Sequence, residues 1–322
     1  MTMLIVILHS QTPERFGLQL DMEYPLIYCS SMFCRIATPM FYFISALLFF
    51  KGCSFQSLER KISSRMESLL VPYLIWNTIF VFLFYCLSHI DFLSSKMNSI
   101  AVLNTPADII RAILNSHHSD LWFVKNLMIY ALMAPVLLVL FKNKKVAVIL
   151  GIVVFSLVLI CVPEYKSLWR WLPIYYAGAL FGYFWDDSTL GSYMKLKPSK
   201  LQISILLLAF VVIYVYTLWS DSDVLITYAS PLLIWTIIDG LFYRQIASFQ
   251  MKGWMRYTFF IFCSHHFVLN VLQKIIVLKF PPTPAVIYLT FIISPVMVWI
   301  VLIMIAEILS KHKFYRYLSG AR

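Results

Sequence analysis

CRIATPMFYFISALLFF (residues 34–50), KGCSFQSLERKISSRMES (51–68) and LLVPYLIWN (69–77) form one continuous stretch, two apolar runs joined by a polar connection. Each run carries a proline near its start, Pro39 and Pro72, and the connection carries Lys51, Arg60, Lys61 and Arg65. Two readings fit this pattern. One is a hairpin of membrane helices with a basic cytoplasmic loop. The other is a site where phosphates of a cytoplasmic ligand meet Arg60, Lys61 and Arg65 at the membrane mouth, since guanidinium groups fork onto phosphate oxygens.

The rest of the chain extends the first reading. It has 322 residues, 61% hydrophobic and 13% charged, against roughly half and a quarter in a soluble domain. Apolar runs recur at 1–8, 34–50, 69–88, 121–141, 145–162, 168–185, 201–219, 224–243, 254–278 and 285–309, ten in all. They are too long and too uniformly apolar for the alternating strands of a barrel. Backbone in hydrocarbon must satisfy its own hydrogen bonds, so the runs are expected to be helices. The expected fold is all-α, a single polytopic bundle over residues 1–322. The first run ends at His9 and covers only about 13 Å of a hydrocarbon layer about 30 Å thick. Either residues precede Met1, or the helix continues toward Gln11. Ser10 to about Met32 reads as a polar connection.

A net charge of +11 raises the question of nucleic acid, but the cations sit in short clusters between apolar runs. The connections 51–68, 142–145, 186–200, 244–256 and 310–322 hold 17 Lys/Arg, and the alternate set holds 8. This bias predicts both termini in the cytoplasm and the Ser88–Asp120 loop outside. Six cysteines show no metal-ligand spacing, so neither a disulfide nor a metal site is assigned.

Several polar residues stand out. His9, at the end of an apolar run, is a candidate general base. Glu14, Asp21 and Glu23 are candidates to orient it. Lys125 lies inside a run, either snorkelling or facing a polar cavity. His265 and His266 lie deep in 254–278, and at least one is expected to face the interior. His117 and His118 read as solvated loop residues.

These pieces, in this order, resemble the acyltransferase-3 family of membrane enzymes that O-acylate surface glycans. The matching blocks are His9 after its run, Arg35–Phe49 with its Pro-Met-Phe-Tyr-Phe-Ile-Ser, and Arg65 followed by Pro72-Tyr73-Leu74-Ile75-Trp76. Leu121-Trp122-Phe123-Val124 and Thr258–His265 complete the set. The chain departs from the family pattern in three places. Ala46 stands where glycine is usual, Ser68 where a second arginine is usual, and the basic residue before the first histidine has no counterpart.

The resemblance implies His9 as the catalytic residue. Arg65, Arg60 and Lys61 would bind the phosphates of acetyl-CoA as acyl donor, and Arg35, Lys125 and His265 are further substrate or structural candidates. It implies a glycan or lipid-linked glycan acceptor, such as an O-antigen precursor, and a bacterial inner-membrane location. A transporter or flippase for a lipid-linked sugar is the alternative, but no internal repeat supports it.

The charge bias has a direct test. Green fluorescent protein fused after Arg322 is expected to fluoresce, and alkaline phosphatase fused there is expected to be inactive. The opposite pair of results would invert the topology.

Overall fold

A computed structural model of the protein describes residues 1–88, 105–115, 120–184, 198–248, 250 and 253–320. His117 and His118 fall outside these residues, as does most of the Ser88–Asp120 loop. Every regular element among the described residues is helical. The N-terminal half contains α1 (Thr2–Leu8), α2 (Thr12–Arg15), α3 (Pro25–Cys34), α4 (Ala37–Phe50), α5 (Phe55–Ser88), α6 (Pro106–Asn115), α7 (Trp122–Leu132) and α8 (Ala134–Phe141). The C-terminal half contains α9 (Lys144–Cys161), α10 (Leu168–Phe184), α11 (Lys200–Ser220), α12 (Val224–Ala247), α13 (Thr258–Lys279), α14 (Pro284–Leu309) and α15 (Tyr315–Ser319).

Seven described helices are long and apolar enough to cross a membrane, or eight if α7 and α8 count as one broken span. The other two of the ten expected runs are α1, with 7 residues, and α10, with 17. The bundle is therefore all-α and polytopic, as its composition requires. The 50° bend between α7 and α8 falls at Met133, just before Pro135, which lacks an amide hydrogen and crowds the preceding turn.

Two boundaries differ from the sequence reading. The second span begins at Pro25, not near Cys34, and forms one 26-residue unit to Phe50 with a break at Arg35–Ile36. Proline at the first helical position is pre-set for this start. The connection 51–68 is also mostly helix, because α5 begins at Phe55 and runs 34 residues through Pro72. Its Leu58, Ile62, Met66 and Leu69 recur at helical spacing and pack against the core. Beyond His9, α1 does not extend to Gln11; the Ser10 hydroxyl bonds the Ile7 carbonyl and the chain turns into α2.

The centre of the bundle is the pairing of α4 with α10. Gly178 and Gly182, one turn apart on α10, face the backbone of Phe43 and Leu47, one turn apart on α4. A Cβ at either glycine would lie 2.3 Å from a carbonyl oxygen. Small residues at this spacing let helix backbones touch, which in lipid substitutes for a hydrophobic driving force. Beside the seam lies an aromatic core: Tyr42 stacks on Trp171 at 5.3 Å, and Tyr130 on Tyr175 at 4.5 Å. By contrast, α9 and α11 turn most of their side chains outward, as lipid-facing helices do.

Gly178→Val is expected to destabilise the protein by about 1–3 kcal/mol, the range of overpacking. Gly253 serves as the control, because a methyl group there would meet nothing within 4 Å. Thermal melts in detergent should show Gly178→Val well below Gly253→Ala and the unmodified chain.

Candidate active site

At the end of α4 that Arg35 precedes, helix ends converge on a cavity of about 510 Å³. His9 caps α1: its backbone N–H donates to the Ile5 carbonyl, and that of Ser10 to the Ile7 carbonyl. The turn that follows is held in place: the Thr12 hydroxyl bonds the Ser10 carbonyl, and Arg15 Nε donates to Gln273 Oε1 of α13 at 3.2 Å. His9 therefore sits on a short helix whose exit is tied to the bundle.

Asp120, just before α7, faces His9, with Oδ2 3.7 Å from Nε2. The same oxygen accepts a short hydrogen bond from His266 Nδ1. The His9 ring lies 5.1 Å from that of His266 and 5.3 Å from that of His265, centre to centre. Burial alone would raise the Asp120 carboxyl. The His9 charge, then the His266 hydrogen bond, outweigh it and hold the group well below the ordinary carboxylate range. Asp120 thus remains an anion that can orient an imidazole and stabilise its protonated form.

His265 is fully buried and donates Nδ1–H to the Phe262 carbonyl at 2.7 Å. That fixes Nε2 as the unprotonated nitrogen, and Nε2 has no hydrogen-bond partner among the described residues. One ligand atom from each of His9, Asp120 and His265 can be chosen so that all lie within 4.8 Å of one another, a group that could share a metal ion. The sequence carries no sign of this grouping, because its members come from three distant segments.

The far wall of the cavity is charged. Asp223 accepts from Arg170 Nη2 at 2.5 Å and faces Arg35 Nη1 at 3.6 Å. Tyr165, Lys166 and Thr38 line the space between.

The other sequence candidates lie elsewhere. Lys61 Nζ donates to the carbonyls of Phe49 and Lys51, and Arg65 Nη2 to that of Ser45 at 3.2 Å. Both therefore hold the end of α4 opposite the cavity, while Arg60 is exposed. Ser45 lies seven residues beyond Thr38, about 10 Å along the helix. Lys125 does not line the cavity. Its amine donates to Asn115 Oδ1 at 3.0 Å and ties α6 to α7. The carboxylate within ion-pair distance of His9 is Asp120, rather than Glu14, Asp21 or Glu23. Asp120 and His266 are the site residues the sequence did not single out together. Two clues were present, a histidine doublet deep in an apolar run and a carboxylate directly before one.

A helical membrane bundle with a histidine–carboxylate pair opening on a cavity suits proton transfer to or from a bound hydroxyl or similar group. The chain belongs to the acyltransferase-3 family: the family model, described as an acyltransferase domain, matches residues 1–305. No curated protein and no solved structure gives a significant match. The protein is thus an integral-membrane acyltransferase.

The Lys61 contacts should be worth about 1.5–3 kcal/mol as hydrogen bonds from a charged group. Lys61→Ala is expected to lower the melting temperature accordingly. Lys125→Ala, at the bundle surface, should stay within about 0.5 kcal/mol of the unmodified chain.

Proposed function

We propose that the protein moves an acyl group, acetyl in the first instance, from cytoplasmic acyl-CoA to a hydroxyl of a bacterial surface glycan or its lipid-linked precursor. The observation that carries this reading is the His9–Asp120 pair opening into the cavity of an acyltransferase-family bundle. His9 turns Nε2 to the carboxylate, which leaves Nδ1 as the basic nitrogen. In the reaction, the acceptor O–H gives its proton to Nδ1 as the oxygen bonds to the thioester carbonyl. Collapse of the tetrahedral species breaks the C–S bond, and the proton passes from the imidazolium to the departing CoA sulfur. Asp120 stabilises the imidazolium between these two steps.

The donor phosphates belong, in this reading, at the opposite end of α4. Arg60 is free to meet solvent there, and Lys61 and Arg65 hold positive charge against the helix terminus. The charge bias of the loops favours the cytoplasm for that end, where acyl-CoA is made. The thioester would then reach along α4 toward His9, and the acceptor would enter the cavity from the exterior.

Transfer of labelled acetyl from acetyl-CoA to host polysaccharide in isolated membranes tests this directly. His9→Ala is expected to lower the rate by about a hundred- to ten-thousand-fold, and Asp120→Asn by about a hundredfold or more. Both proteins should still be present in the membrane. Chelator-washed membranes should retain full transfer. If washing abolishes transfer and added zinc restores it, His9, Asp120 and His265 are metal ligands instead. Accumulation of unmodified lipid-linked precursor with normal ester content would favour the flippase alternative.

A further inference from the structure

The far wall of the cavity holds two guanidinium groups and one carboxylate. Arg170 is buried, its side chain 8% exposed, and is fixed by three contacts. Nη2 donates to Asp223 and Nη1 to the Pro163 carbonyl at 3.1 Å, and the guanidinium lies over the Tyr165 ring at 5.5 Å. Its Nε has no hydrogen-bond partner among the described residues. Arg35, with its side chain 29% exposed, reaches the other oxygen of the same carboxylate at 3.6 Å, beyond a close hydrogen bond. Lys166 lines the same cavity. Asp223 therefore neutralises one of two arginines, and a net positive charge remains on the cavity wall, carried by the partly exposed Arg35. A guanidinium with unused donors is matched best by a carboxylate or phosphate.

We propose that Arg35 and Arg170 form an anion subsite, and that the acceptor carries a carboxylate or phosphate near the hydroxyl to be acylated. This rests on the transferase reading and narrows its acceptor class. The anion would join Arg35 and Arg170 in the cavity that they line together with Asp223. With the charged end of the acceptor on this wall, its hydroxyl faces the His9 wall of the same cavity. The subsite discriminates against neutral sugars, which would leave the surplus charge uncompensated.

The test reads binding rather than transfer, so the subsite and the chemistry can fail separately. The full chain, in phosphatidylcholine nanodiscs, is titrated with galacturonate, glucose 1-phosphate and glucose, in unmodified and His9→Ala forms. At least one anionic sugar is expected to bind about tenfold or more tightly than glucose, as a charge-assisted hydrogen bond would give. The preference should persist in His9→Ala and be lost in Arg35→Gln. Arg35 is chosen because it is the less buried of the pair, and a circular-dichroism melt confirms that the variant is folded. Asp223→Asn, which removes the competing carboxylate, should strengthen the anionic sugar's binding. Preference for galacturonate alone identifies a uronic-acid acceptor; preference for glucose 1-phosphate alone identifies a phosphate-linked one. Equal binding of glucose, or an anion preference that survives in folded Arg35→Gln, overturns the proposal.

Discussion

Backbone contact between α4 and α10 is the constraint on which the site depends. Gly178 and Gly182 leave no side chain between the two helices, so their axes are set by carbonyl oxygens rather than by rotamers. The consequences appear at both ends of α4. Arg35, Thr38 and Phe41 line the cavity, and Ser45 and Phe49 receive Arg65 and Lys61. From α10 come Arg170 on the cavity wall and Trp171 and Tyr175 in the aromatic core. A wider seam would move Arg170 away from Arg35 and leave Asp223 without its second cation.

Two carboxylates organise the cavity in similar ways. Asp120 stands between two imidazoles, and Asp223 between two guanidinium groups. The difference lies in the partners. An imidazole can both take up and release a proton, so the Asp120 cluster can accommodate a proton that moves. Guanidinium groups keep theirs, so the Asp223 cluster carries fixed charge. One wall therefore suits chemistry and the other suits holding a substrate, within a single cavity of about 510 Å³.

The helical class was legible because hydrocarbon admits few alternatives to a helix, and the family because its blocks recur in order along the chain. His9 was legible for a local reason: an ionisable group at the end of an apolar run is out of place. Asp120 offered a weaker clue, because a carboxylate directly before an apolar run is also the ordinary close of a polar loop. Its importance comes from His266, 146 residues further on, and no local pattern encodes that contact. The same limit applies to Asp223 and Arg170, 53 residues apart. The start of α5 was missed for a different reason. Hydropathy places a helix where the chain turns apolar, whereas Leu58, Ile62 and Met66 extend it through a basic segment by packing one face only. Lys125 left two readings open, snorkelling or facing a polar cavity, and its position in a run does not reveal that the long stem carries the amine to Asn115.

The seam between α4 and α10 also divides the molecule mechanically. Interdigitated side chains can exchange rotamers and let helices slide, but backbone in contact with backbone has no such slack. The inner pair thus behaves as a stator, with fixed charges mounted at both ends. Compliance is left to the rim, where α9 and α11 turn most of their side chains out of the bundle. Bilayer thickness and tension would act first on those outer helices. Neither helix contributes a residue to the cavity, so their displacement would leave its walls standing still.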